Sequence, residues 1–240
     1  MFYCRKPDLD VLAPVRQSLG GDISGSLFGS TKNVLVEGFT DKLYLKTFSE
    51  YFRRQGEDTT VGYQTSLVDV DGSKTEYMVR FLNAEGYDYA VLLDDDDAED
   101  AKSHKETLVE KGVDEDSIVL VSDVLDGVDE ETPVEIEDLL PAEIFCEVVA
   151  EKYPDDVDPD DLVQATGDEY RTIPEAVKAK LQEIEQGELQ EGGFDKGDIA
   201  ETICGRVASG EYDEEKIGEE SLEAFGVLIE ELSDVLPESE

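Results

Sequence analysis

Histidine, cysteine, tryptophan and basic side chains are all scarce in this chain. There is one histidine, His104, with three cysteines and no tryptophan, and 20 Lys and Arg stand against 62 Asp and Glu. A lone histidine among the charged residues of a polar helix is expected to be exposed. It leaves a Ser-His-Asp triad, a Cys-His pair and a zinc deaminase site without the partners they need. Cys4, Cys146 and Cys204 show no CxxC spacing, so neither a disulfide framework nor a zinc site is expected, and a reducing cytosol fits. The start, "MFYCRKPDLDVLAP", lacks the apolar core of a signal peptide. No run approaches the roughly 20 apolar residues of a membrane span. The expectation is a soluble, cytoplasmic protein.

Acid is what the chain has in excess. Its formal net charge is −42, its pI is near 4.1 and its mean hydropathy is −0.39, yet 39% of its residues are hydrophobic. Such a charge opposes compaction in dilute buffer, where screening extends over about 10 Å at 0.1 M salt, and opposes it far less at molar salt. The composition resembles that of proteins from salt-accumulating halophiles. An arbitrary carboxylate pair here is therefore expected to be solvated surface, and only placement can single one out. The apolar residues fall in periodic segments, which excludes a disordered chain and leaves enough for a real core.

Those segments alternate in type. Residues 1–31 read as a lead-in. "NVLVE", "SLVDV", "YAVLL" and "SIVLV" are short strand candidates. Between them lie helical patterns: "TDKLYLKTFSEYFRR" with Thr40 as N-cap, "SKTEYMVRFLNAEG" with a Ser73-x-x-Glu76 capping box, and "AEDAKSHKETLVEKG" stopped by Gly112. Alternating strands and helices predict a mainly parallel sheet of βαβ units, Rossmann-like in class, over residues 32–141. A helical region is predicted for residues 142–240, with an apolar pattern from Ile144 to Val149 and helices in "IPEAVKAKLQEIE", "FDKGDIAETICGRVASG" and "SLEAFGVLIEELSDVL".

Functional groups of parallel sheets collect at the carboxyl ends of strands. Glu37 ends the first predicted strand, and "AVLLDDDDAED" ends the third in a cluster of aspartates that repel one another. Oxygen-only clusters suit hard cations, Mg²⁺ or Mn²⁺. Two such ions about 4 Å apart can activate water and stabilise the leaving oxygen in phosphodiester cleavage. The alternating pair Asp94 and Asp96 could share metal, with Glu37 as a further ligand or proton-transfer group. The segment "DGSKT" imitates the end of a phosphate-binding loop, but Ser73 interrupts it and the required earlier glycine is Leu67.

"VLVEGFTDKLYL", then "VLLDDDD", then "VEIEDLL" together resemble the TOPRIM domain of topoisomerases, primases and several nucleases. The lead-in "LAPVRQSLGGDISGSLFGSTKNVLVEG" narrows the resemblance to the OLD (overcoming lysogenization defect) nuclease family. The resemblance implies a TOPRIM fold and Mg²⁺- or Mn²⁺-dependent cleavage of DNA with two ions. It places metal ligands at Glu37, Asp41, Asp94, Asp96 and Glu137, with Glu135 in reserve, and gives Glu37 a catalytic role. Lys196, in "FDKGDIA", matches a basic residue that assists at the scissile phosphate. Members of that family normally carry an ABC-type ATPase, and no Walker motif occurs here. The expectations are therefore a stand-alone TOPRIM protein, a fragment of a longer one, or a subunit working with a separate ATPase.

DNA as partner fits the basic side chains less comfortably. Lys42 and Lys46 on one helix, with Arg53 and Arg54 at its end, and Lys74 and Arg80 on the next, are the candidate phosphate contacts. Bound cations would supply much of the remaining positive charge. The rival readings are a non-catalytic TOPRIM scaffold or regulatory subunit binding DNA or the ATPase, and a receiver-like protein phosphorylated on aspartate, which explains Asp94 but not Glu37-Gly38. Topoisomerase or primase activity would need domains this sequence does not offer. No membrane partner is expected, and a homodimer stays open.

Overall fold

Four short apolar runs pair into one wholly parallel sheet. They are β1 (Lys32–Val36), β2 (Thr65–Asp69), β3 (Asp88–Leu93) and β4 (Ile118–Leu120), in the order β2-β1-β3-β4. This computed structural model describes residues 30–57, 61, 65–70, 74–95, 98–125, 128, 132–153, 157–167, 171–184 and 194–236, except for the side chains of 98–103 and 184. The lead-in through residue 29, Ser73 and Asp96 lie outside the described residues. Because β1 connects to β2 on one side and β3 lies on the other, the strand order reverses between β1 and β3. At such a reversal the connecting chains part and leave a crevice at the carboxyl ends of the strands.

Strand alternation sorts the sheet into two faces. Val34, Val36, Ala90, Leu92 and Val119 point one way, against Tyr44, Leu45, Phe48 and Phe52 of α1 (Phe39–Gln55). Leu35, Val68, Val91, Leu93 and Ile118 point the other way, against Met78, Val79 and Leu82 of α2 (Thr75–Glu85) and Leu108 of α3 (Ala98–Glu110). The period of two in a pleated strand produces this division, and helices on both sides remove water from it. Gly86 ends α2 in the left-handed region at φ 70°, where a side chain would be strained.

The first face is much the thicker. Beyond α1 it is built from α4 (Ala142–Lys152), α5 (Pro159–Ala165), α6 (Ile173–Ile184), α7 (Lys196–Ser209), α8 (Glu214–Ile217) and α9 (Glu219–Asp234). The short α5 and α8 are absent from the sequence-based expectation, being too polar to show a stripe. Their start signals are nonetheless present: the Asp158 side chain accepts from Asp160 N at 3.0 Å ahead of Pro159, and that of Asp213 accepts from Lys216 N at 3.0 Å. Apolar residues from both sides of Pro141 fill one continuous core. Within it Phe48 stacks on Phe225 with centroids 3.7 Å apart and planes 9° from parallel. Truncating Phe48 to Ala is expected to cost about 3–5 kcal/mol, the usual range for a buried Phe, measured as a drop in unfolding free energy. A loss below about 1 kcal/mol would mean that α9 does not depend on α1.

Candidate metal centre at the carboxyl end of the sheet

The chain leaves β1 through Glu37 and Gly38 and leaves β3 through Asp94, so these residues sit beside each other at the strand-order reversal. Gly38, not Thr40, is the N-cap of α1, with extended backbone at φ −137°. Asp41, in the first turn, turns its carboxylate back so that Oδ2 accepts the Gly38 N–H at 2.8 Å. This bond satisfies one of the helix's orphan donors and also pulls Asp41 inward. Glu37 therefore lies just outside the helix that holds Asp41, and both reach one cleft of about 710 Å³. The cleft is also lined by Phe39, Asp94, Phe194 and Lys196.

Across the cleft stands the N-terminus of α7. Asp195 caps it, accepting from Gly197 N at 3.0 Å and Asp198 N at 3.2 Å, and Lys196 is its first residue. The positive end of a 14-residue helix is thus presented to the carboxylates together with an ammonium group. Lys196 Nζ donates to Glu135 Oε2 at 2.6 Å and lies 3.4 Å from Glu137 Oε2. Glu137 belongs to a 3₁₀ turn, Ile136–Leu139, that comes after an antiparallel bridge between Asp95 and Val134. Asp138 closes that turn by accepting from Glu135 N at 2.7 Å, and its other oxygen accepts from Ile173 N at 2.7 Å. Thr172, fully buried, donates to Glu135 Oε1 at 3.3 Å.

Burial sets the charge states. It raises Glu137 to about 8 against the pull of Lys196, and Asp41 to about 6 against its bond to Gly38 and the charge of Lys196. Asp94 is held well above the usual carboxylate range, first by burial and then by Asp41 and Glu137. For Lys196 burial acts downward, but Glu137 and Glu135 outweigh it and hold the ammonium above its ordinary range. Asp94 Oδ1 and both carboxylate oxygens of Glu137 are buried without a hydrogen-bond partner. The Lys196 contact to Glu137 is an ion pair at 3.4 Å, beyond a well-formed hydrogen bond. Unsatisfied, mutually repelling carboxylate oxygens are a donor set that fits a hard divalent cation. Among the described residues no three such groups stand close enough together to enclose an ion.

The sequence-derived candidates separate accordingly. Glu37, Asp41, Asp94 and Lys196 line the cleft, and Glu137 lies behind it beside Lys196, while Asp96 falls outside the described residues. Glu135 and Glu137 both reach Lys196, but Glu135 is satisfied and Glu137 is not. Asp95 is a buried structural residue whose Oδ2 accepts from Ser122 N at 3.2 Å. Lys42 and Lys46 lie on α1, while Lys74, the N-cap of α2, and Arg80 within it are on the opposite face of the sheet, so the four do not form one patch. Arg80 pairs with Glu76 at 2.7 Å, and Arg53 and Arg54 pair with Glu50. His104 is not exposed as expected: it is half-buried, with Nδ1 3.3 Å from Glu37 Oε1. Its spacing of four from buried Leu108 is the signal in the sequence, since those positions share a helix face.

Comparison with known proteins adds a family to this geometry. No curated protein matches the chain. Among solved structures it is similar to the C-terminal region of the Xanthomonas campestris pv. campestris OLD protein, at 15% identity and a TM-score of 0.39, covering 85% of this chain and 98% of that one. The family model for the TOPRIM domain of overcoming lysogenization defect protein-like sequences matches residues 28–96, the segment that holds β1 to β3 and the acidic corner after them. Over residues 28–96 the chain is thus similar to the TOPRIM domain of OLD-like proteins.

Proposed function

We propose that this chain is a Mg²⁺- or Mn²⁺-dependent nuclease that hydrolyses DNA phosphodiester bonds. The observation carrying this reading is the buried set of unpartnered carboxylate oxygens on Asp94 and Glu137, beside Asp41 and Lys196 at the β1/β3 crevice. Glu37, Asp41, Asp94, Asp96 and Glu137 would hold two ions. Divalent ions at such a site lower the pKa of water and offset charge on phosphate oxygens. The chain's own contribution is to exclude solvent, fix the carboxylates and aim a cation at the substrate. Asp41 is held by Gly38, Glu135 is held by Thr172, and Lys196 with the α7 N-terminus provides the positive end for a phosphate oxygen. Lys42 and Lys46, on the helix that opens at the cleft, are better placed to track a DNA backbone than Lys74 and Arg80.

Supercoiled plasmid incubated with the purified protein and Mn²⁺ in molar KCl is expected to be nicked, and EDTA is expected to stop it. Metal binding without any cleavage would instead support the scaffold reading, with DNA or a separate ATPase as partner. One observation favours that second reading: Lys196 is already engaged by Glu135 and Glu137.

A further inference from the structure

Beside the acidic cleft, an apolar groove of about 520 Å³ runs between α1 and α7, and Phe39 lines both. Buried Cys204 and Val207 of α7 and half-buried Leu43 of α1 line its inner side, and Lys46 and Glu201 stand exposed along it. Arg54 ties off the far end, donating from Nη1 to the Ala208 carbonyl at 2.7 Å. Positions 39, 43, 46, 50 and 54 follow helical spacing, so one face of α1 borders the groove over about 22 Å, at 1.5 Å per residue. Phe39 opens α1 and is 48% exposed. A single exposed ring is ordinary, so its position carries the argument. The ring lies against Gly197, the second residue of α7, where a Cβ would stand 3.8 Å from Cδ1. An apolar face in water thus adjoins the helix N-terminus and Lys196, the groups suited to a phosphate.

Charge selects the occupant. The acidic cleft sets Glu37, Asp41, Asp94 and Asp195 against Lys196, whereas the apolar groove sets Lys46 and Arg54 against Glu50 and Glu201 and is formally neutral. Glu50 is paired by Arg53 and Arg54, while Lys46 makes no ion pair among the described residues. In a chain of net charge −42, such a groove is where a polyanion meets little repulsion. We propose that it takes an unpaired nucleotide of a DNA strand, the base stacked on Phe39 and its phosphate near Lys46, beside the phosphodiester held at the α7 N-terminus. The inference rests on the nuclease reading and names its substrate as single-stranded or locally unpaired DNA. In a duplex the base faces are covered by their neighbours, so only an unstacked base offers a face to Phe39. Stacking attracts whatever the sign of the protein's charge, which ion pairing does not.

Fluorescence anisotropy in EDTA, with labelled oligothymidylate, a strand of equal length and charge bearing abasic sites, and a duplex, separates base from phosphate contacts. Wild type is expected to bind oligothymidylate at least about 5-fold more tightly than the abasic strand. Phe39→Ala should erase that preference and Phe39→Tyr should keep it, both with unchanged melting temperature because the ring is largely open. Lys46→Gln should weaken both single strands alike, since it removes a phosphate contact. Wild-type affinity equal for the two strands, tighter binding of the duplex, no binding of any, or a preference that survives in Phe39→Ala would overturn the proposal. Survival in Phe39→Ala would also leave the groove to a protein partner. Failure of the nuclease reading looks different: plasmid with Mn²⁺ would stay intact while binding through Phe39 still distinguished thymidylate from abasic strands.

Discussion

Nicking by the Asp94→Ala, Asp96→Ala variant is expected to fall by at least about 10²-fold, because removing ion ligands forfeits several kcal/mol of charge stabilisation. Asp94 is the informative half of the pair. It comes directly after β3, its Oδ1 is buried without a partner, and Asp41 and Glu137 both push its carboxyl toward the neutral form. A group in that environment does not stabilise the metal-free fold, so its removal should leave the melting temperature unchanged or raise it. Asp95 supplies the contrast within the same run. Its backbone exchanges hydrogen bonds with Val134 at 2.7 and 2.9 Å, and its Oδ2 accepts from Ser122 N. Asp95→Ala should therefore lower the melting temperature, whereas the Asp94/Asp96 variant should lose activity with its fold intact. Gel assays of plasmid nicking beside thermal melts separate the two, and undiminished nicking by the double variant would end the nuclease assignment.

Neighbouring aspartates with such different surroundings mark the limit of what local sequence encodes. Strand and helix order is legible because each strand alternates between two faces: Val34 and Val36 against Leu35, Ala90 and Leu92 against Val91 and Leu93. Glu37 and Asp94 are legible for the same reason, since the last residue of a strand locates the side chain immediately after it. Which aspartate of "DDDD" does what is not legible. Asp95 is assigned by a bridge to Val134, 39 residues away by sequence number, and no local pattern announces it. The division of labour between Glu135 and Glu137 is hidden likewise, because it depends on a 3₁₀ turn tied down by Asp138 and on Thr172 and Lys196 arriving from distant helices. Propensity favours Thr40 as the cap of α1, but Asp41 reaching back to Gly38 does the same work from inside the helix.

The metal-free protein is expected to lose stability as pH rises from about 4.5 to about 8, with Glu137 dominating the upper part of that window. Its carboxyl is raised from 4.5 to about 8, chiefly by burial, so the folded state binds the proton more tightly than the unfolded chain does. Stability from such a group is fully present below the unfolded value and is lost as pH passes through the folded value. Asp41 and Asp138, raised from 3.8 to about 6, add the same sign over the lower part. Each pKa unit corresponds to about 1.4 kcal/mol, so the Glu137 contribution is on the order of a few kcal/mol, or roughly 5–10 °C in melting temperature. Repulsion from the net charge of −42 acts in the same direction, but it is nearly common to wild type and Glu137→Gln and so cancels in their difference. Melts in EDTA should therefore show Glu137→Gln gaining on the wild type between about pH 6 and 8, and parallel profiles would refute the assignment of that loss to Glu137. Saturating Mn²⁺ should reverse the order, since an ion that binds the ionised carboxylate stabilises the wild type by mass action and the amide variant less. Nicking by Glu137→Gln should fall at the same time, because the unsatisfied charge that weakens the metal-free fold is the charge that would hold the ion.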